Sequence, residues 1–231
     1  MDPTATLPDV LRLARSRDAG GELLRAIGGH RRWGRDLLVR EALVRNPTTP
    51  LDVALRFVSE LTWKGLVGVL SCALIHPQVR RRAMDRLKLK LRELTSGERT
   101  SLAREAPADV GALLLGVCAP DRELGAVLDN GRLRETDLLA AIGQSLAPEA
   151  LRQVAAHPRW RDRYVVVRAL AMCDRAPADL AIPLLDHLHV QDLREAAAFS
   201  RLSEALRAEA RRLLSERTQN PYHPRTGTSS S

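Results

Sequence analysis

The chain has 231 residues, 45% of them hydrophobic but only 3% aromatic, and a formal charge of +8. That length suits one large domain or two small ones with a substantial core; apolar content carried by Leu, Ala and Val favours helices over sheets. No apolar run approaches the roughly 20 residues a bilayer span needs, and the opening MDPTATLPDV lacks the basic-then-hydrophobic order of a signal peptide.

In chain order, helices are predicted over 8–18, 21–28, 34–45, 50–60, 63–73, 77–94, 98–105, 108–117, 121–128, 135–143, 148–156, 159–172, 178–187, 190–199 and 203–216. Within 77–94 the apolar residues Val79, Ala83, Leu87, Leu91 and Leu94 recur every three or four positions, with Arg80, Arg81, Arg82, Lys88 and Arg92 on the other faces. Thr49-Pro50-Leu51-Asp52 offers an N-cap threonine, a proline at the first helical position and an acid at the third. Thr95 to Glu98 is a capping box. Asn46-Pro47, His76-Pro77 and His157-Pro158 set a polar residue before proline, and Gly28-Gly29, Gly97 and Asn130-Gly131 mark stops or turns. The β-branched run Tyr164-Val165-Val166-Val167 stands in helical context and is predicted helical. Residues 218–231, TQNPYHPRTGTSSS, hold one charge and many small polar residues, the composition of a disordered tail or linker.

A shift of 127 residues lays 22–87 on 149–214 without a gap. Leu24 and Arg25 meet Leu151 and Arg152; His30, Arg32 and Trp33 meet His157, Arg159 and Trp160; Pro50 and Asp52 meet Pro177 and Asp179; Arg80, Ala83 and Leu87 meet Arg207, Ala210 and Leu214. Residues 91–147 hold a weaker copy, in which Ala106-Pro107-Ala108-Asp109 echoes Ala176-Pro177-Ala178-Asp179. Repeated units of this kind bury by stacking what one helix pair cannot bury alone. Asp52 and Asp179 suit helix N-termini, and Arg80 and Arg207 are placed to bridge to a neighbouring repeat.

The run Pro77-Gln78-Val79-Arg80, then Ala83 and Leu87, resembles the second helix of a HEAT-like repeat; 206–214 keeps its spacing without the proline. Asn46-Pro47-Thr48-Thr49-Pro50 is also similar to bacterial leucine-rich-repeat-variant proteins. Some of those carry an iron–sulfur module with clustered cysteines, which Cys72, Cys118 and Cys173 do not reproduce. The resemblance covers 22–216 and implies an all-α fold, an α-α superhelix of stacked antiparallel helix pairs that binds partners along a face or ridge. The expected organisation is an N-terminal capping helix in 1–21, one helical repeat domain over 22–216 and a disordered tail over 217–231.

Thirty-three of the thirty-six basic residues are arginines. Such a bias, beside abundant Ala, Leu and Gly, is also what a GC-rich genome produces, so the charge alone does not name an anionic partner. The three scattered cysteines among apolar neighbours read as reduced, partly buried thiols, which predicts a cytoplasmic setting. No phosphate-cradling glycine loop, GxSxG, HExxH or CxxC is present. Cys72 with His76, and His187 with His189, lack further ligands nearby; His76 suits a helix cap instead. No catalytic residue, metal or cofactor is therefore expected.

The candidate binding residues are Arg32, Trp33, Arg80, Arg81, Arg82, Arg159, Trp160 and Arg161. Arg and Trp dominate interface energetics when exposed; buried, the tryptophans would instead fill the joints between repeats while His30 and His157 cap helices. The reading is a non-catalytic scaffold or adaptor with a protein partner, for which an acidic surface would suit the Arg-rich face. The alternative is a nucleic-acid-binding helical repeat resembling the HEAT-like DNA-alkylation-repair proteins in architecture alone.

Overall fold

The computed structural model describes residues 5–219, with the side chain of Gln219 left aside; all are helical or in the turns between helices, with no strand among them. The expected tail therefore lies outside the described residues from 220 onward, while its first residues, 217–219, are the end of the last helix. No helix among the described residues is long and apolar enough to cross a membrane.

Two compact units divide the chain at Val117 and Cys118. The first holds α1 (Leu7–Arg15), α2 (Gly21–Gly29), α3 (Leu37–Arg45), α4 (Leu51–Val58), α5 (Trp63–Leu70), α6 (Pro77–Leu91), α7 (Ser96–Glu105) and α8 (Ala108–Leu115). Here α3 packs on α4 and α5 on α6, and α1 meets α3, α3 meets α5 and α4 meets α6. Contact with both the next helix and the next but one is the signature of stacking. Its core is aliphatic: Val10, Leu24, Ile27, Leu43, Leu66, Val79 and Leu87 are buried, with Phe57 the one phenyl ring.

The second unit holds α9 (Arg122–Asp129), α10 (Glu135–Gln144), α11 (Pro148–Ala156), α12 (Tyr164–Ala171), α13 (Ala178–Leu185), α14 (Val190–Ala198) and α15 (Glu204–Gln219). The same pattern recurs: α12 on α13, α14 on α15, α9 with α11, α10 with α12 and α13 with α15. The β-branched run is the first turn of α12, where Val166 and Val167 are buried.

Every predicted helix forms, and the ends move for local reasons. Residues 159–163 are turn rather than the start of α12, because Arg163 caps that helix in extended conformation. Residues 34–36 likewise separate into a short 3₁₀ turn, Trp33–Arg35, and the cap Asp36, whose carboxylate accepts from the backbone of Leu38 and Val39. Thr95 and Glu98 form the reciprocal box, Glu98 N–H to Thr95 Oγ1 at 3.3 Å and Thr95 N–H to the Glu98 carboxylate at 3.0 Å. His76 caps α6 through Nδ1, 3.2 Å from the Gln78 N–H. Thr49 does not cap α4: Pro50 takes that position, and the buried Thr49 hydroxyl has no hydrogen-bond partner. The work before α4 falls to Asn46 and Thr48. The Asn46 amide donates to the Ala14 and Ser16 carbonyls, closing the end of α1, and the Thr48 hydroxyl donates to the Ala19 carbonyl.

Candidate functional site

The duplicated His-x-Arg-Trp segment follows α2 in one copy and α11 in the other. In each, the imidazole Nδ1 accepts backbone N–H groups of the turn: from Arg32 at 3.3 Å and Trp33 at 3.4 Å, and from Arg159 at 3.3 Å. The arginine guanidinium then sits over its neighbouring indole, 4.2 Å from the ring centre for Arg32 on Trp33 and 4.3 Å for Arg159 on Trp160. Both indoles are inside, 4% and 1% exposed. The Trp160 indole N–H donates to the Leu128 carbonyl at 3.0 Å, tying the turn to the end of α9. Trp33 and Trp160 therefore do not meet the exposure that an interface anchor requires. A large apolar ring gains most where several helices meet, and that is where both are placed.

Arginines divide into two populations. One closes helix C-termini, where the last carbonyls lack partners within the helix. Arg80 donates to the Leu70 and Cys72 carbonyls at 3.0 and 2.7 Å, closing α5. Arg159 reaches the Asn130 and Leu133 carbonyls at 2.6 and 3.1 Å, after α9. Arg86, Arg175 and Arg217 do the same at Ser59, at Ile142 with Leu146, and at Asp186 with Leu188. A cation is favoured at the negative end of a helix dipole, and guanidinium supplies several donors in one plane. Of the candidate residues, Arg80 and Arg159 thus belong to the scaffold.

A second structural use is the staple between alternate helices. Arg25 on α2 grips Asp52 on α4 through two parallel bonds, 2.5 and 3.0 Å; Arg152 on α11 grips Asp179 on α13 at 2.6 and 2.9 Å. Hydrogen bonds from these guanidinium groups hold both aspartates below the usual carboxylate range. Arg80 reaches Asp109 at the start of α8, 3.6 Å away, so the weaker middle copy carries a third, looser version. Among the described residues Arg207 bridges to no neighbouring helix by ion pairing: it turns back to Glu204 on its own helix at 2.7 Å.

What remains in solvent is the other population. Arg32, Arg81, Arg82 and Arg161 are exposed. Arg161 leans on adjacent Asp162 at 3.3 Å, and Arg82 meets only the Ser59 hydroxyl at 3.4 Å. Asp85, four residues after Arg81, points instead to Lys88 at 4.0 Å, which leaves Arg81 without an ion pair among the described residues. The structure brings Arg81 and Arg82 together on α6 and Arg32 beside Trp33, whereas Arg161 sits in the other unit.

One polar network is marked by no signal in the sequence. The Tyr164 hydroxyl donates to Asp192 and accepts the His189 backbone N–H at 3.0 Å; Arg168 donates to the same carboxylate at 2.7 Å and to Glu195 at 2.5 Å. The Tyr164 hydroxyl, more than Arg168, draws Asp192 below its ordinary pKa, while burial and then Asp192 push the phenol up. The groups sit 24 to 28 residues apart on α12 and α14, a separation that fits no motif. The network ties α12 to α14. Among the described residues no group of three His, Cys, Asp or Glu is placed to hold a metal ion. Comparisons with protein-family models, curated proteins and solved structures give no match for this chain.

Proposed function

We propose that this chain is a non-catalytic, cytoplasmic scaffold or adaptor of HEAT-like helical-repeat type that binds a protein partner through exposed arginines. The observation that carries the reading is the split among those arginines. Arg80, Arg159 and their kind are consumed by helix ends, yet Arg32 and Arg81 stay exposed and form no ion pair among the described residues. A surface guanidinium without a carboxylate partner keeps its donors available, and it is the group best shaped to grip a carboxylate.

The second reading is nucleic-acid binding, supported by the same exposed cations. Burial of Trp33 and Trp160 weighs against it, since neither ring is open to stack on a base. The test is a tagged pull-down from the native host's lysate, with nuclease treatment and a salt series. A discrete protein retained after nuclease and moderate salt upholds the scaffold reading. Nucleic acid that co-purifies and leaves steeply as salt rises replaces it.

A further inference from the structure

In the first unit, the end of α1, one face of α3 and the turn between α5 and α6 surround a cleft of about 530 Å³. Arg15, Arg17 and Arg45 stand around it; Leu38, Ala42 and Leu74 line its floor. We propose that this cleft docks an acidic segment of a protein partner, with an aliphatic side chain such as leucine seated between the guanidinium groups. The inference rests on the protein-binding reading above and names where and what that partner segment is.

Charge points to the occupant. None of the three arginines forms an ion pair among the described residues; Arg45 meets only the Cys72 sulfur, at 3.4 Å. One carboxylate, Glu41, lines the same cleft. Three cations against one anion leave the site short of negative charge, and carboxylates satisfy guanidinium groups bidentately. The floor points to the rest. Leu38 and Leu74 are 49% and 59% exposed, an aliphatic surface that the chain itself leaves uncovered, and apolar anchors flanked by charge are the ordinary way a groove takes a peptide. Nucleic acid fits less well, because no aromatic ring lines the cleft for a base to stack on and Glu41 would repel phosphate. The tail of this chain is not the occupant either, since residues 218–231 contain no Asp or Glu.

The second copy is an internal control. At the positions equivalent to Glu41, Arg45, Pro47 and Leu74 it carries Arg168, Met172, Asp174 and Arg201. There Arg201 pairs with Asp174 at 2.9 Å and Arg168 is held by Asp192 and Glu195. The same scaffold thus closes its charges upon itself in one copy and leaves them open in the other, so the open cleft is not a by-product of the repeat.

The test is selection of phage-displayed random short peptides on the full-length chain, followed by fluorescence anisotropy with a synthetic selected peptide. The expected peptides carry Asp or Glu around a Leu, Ile or Met. Two variants read the site: Arg15→Glu with Arg45→Glu, and Arg45→Met with Pro47→Asp and Leu74→Arg, which installs the residues, ion pair included, that the second copy already accommodates. Each should weaken binding by about tenfold or more, with thermal melting unchanged for the second; Arg194→Ala, exposed in the other unit, should bind as wild type. Absence of enrichment, or enrichment without acidic bias, overturns the proposal. Selected peptides that ignore both cleft variants but lose affinity on Arg81→Glu with Arg82→Glu overturn the cleft while leaving the protein-binding reading standing. A single-stranded oligonucleotide that binds the wild type, where no peptide does, overturns both.

Discussion

Residues 22–87 and 149–214 descend from one pattern, and comparing them separates scaffold from surface. Leu24 and Leu151, Leu66 and Leu193, and Ala83 and Ala210 are all fully buried in both copies. The Arg25–Asp52 staple reappears as Arg152–Asp179, bond for bond. Even an altered side chain keeps its role, for Thr48 reaches the Ala19 carbonyl and Arg175, at the equivalent position, reaches the Leu146 carbonyl. Away from the joints the copies part. Glu41 becomes Arg168, and a cleft edged by unpaired arginines becomes a network closed by Tyr164, Asp192 and Glu195. Duplication kept the buried seams and the Arg–Asp staple, and let some helix-end contacts, such as those of Arg80 and Asn46, differ between the copies.

Five tests break or sharpen that comparison. The largest effect is expected at the shared indoles: Trp33→Ala and Trp160→Ala should each cost about 3–5 kcal/mol in urea unfolding. A Trp33 variant that unfolds like wild type would break the equivalence. The second tests a place where burial differs. Leu87 is fully buried while its counterpart Leu214 is only half-buried, so Leu87→Ala should cost about 2–5 kcal/mol and Leu214→Ala clearly less, read from the same curves.

Third, a Cβ at Gly34 would fall well inside contact distance of the Gly28 carbonyl oxygen, whereas the other copy carries Arg161 at that place. Gly34→Ala should therefore cost about 1–3 kcal/mol through overpacking, and Arg161→Ala should leave the melting temperature unchanged. Equal effects would mean that the two turns share a backbone path.

Fourth, Asp192 has a folded pKa below its unfolded value. Its contribution is in place above the unfolded pKa of about 3.9 and disappears as pH falls through the lower folded value. The melting temperature of Asp192→Asn should thus lie below wild type at neutral pH, with the gap closing in acid. A gap that is constant with pH would show that the carboxylate charge does no work there. Smallest of all, Arg25→Ala and Arg152→Ala should each lower the melting temperature slightly and equally, and less in high salt, because both staples are solvent-exposed.

Much of the fold was legible before any coordinates. The spacing of Val79, Ala83, Leu87 and Leu91 set the buried face of α6, and the capping box set the start of α7. Both signals are local, written within one or two turns of helix. The start of α4 was misread at Thr49 because Asn46 and Thr48 act through carbonyls 29 to 32 residues away. The candidate site was legible only in part. Arg81 and Arg82 are exposed on α6 as their helical position implied, but neighbouring Arg80 is occupied by carbonyls of the preceding helix. In the sequence only the repeat sets Arg80 apart, because it recurs as Arg207 while Arg81 and Arg82 align with Ala208 and Glu209.

By itself the sequence determined the all-helical class, the order of the fifteen α-helices among the described residues and the pairs of residues that the duplication keeps equivalent. Those follow from periodicity, capping and repetition, all of which are properties of the chain read along its length. Only the tertiary structure decided which arginines are spent on helix ends, that the repeated tryptophans Trp33 and Trp160 are inside, and that Arg15, Arg17 and Arg45 gather around one apolar floor. The physical reason is that a guanidinium group can donate to a carbonyl, a carboxylate or water. Which of these it meets depends on the helix packed beside it.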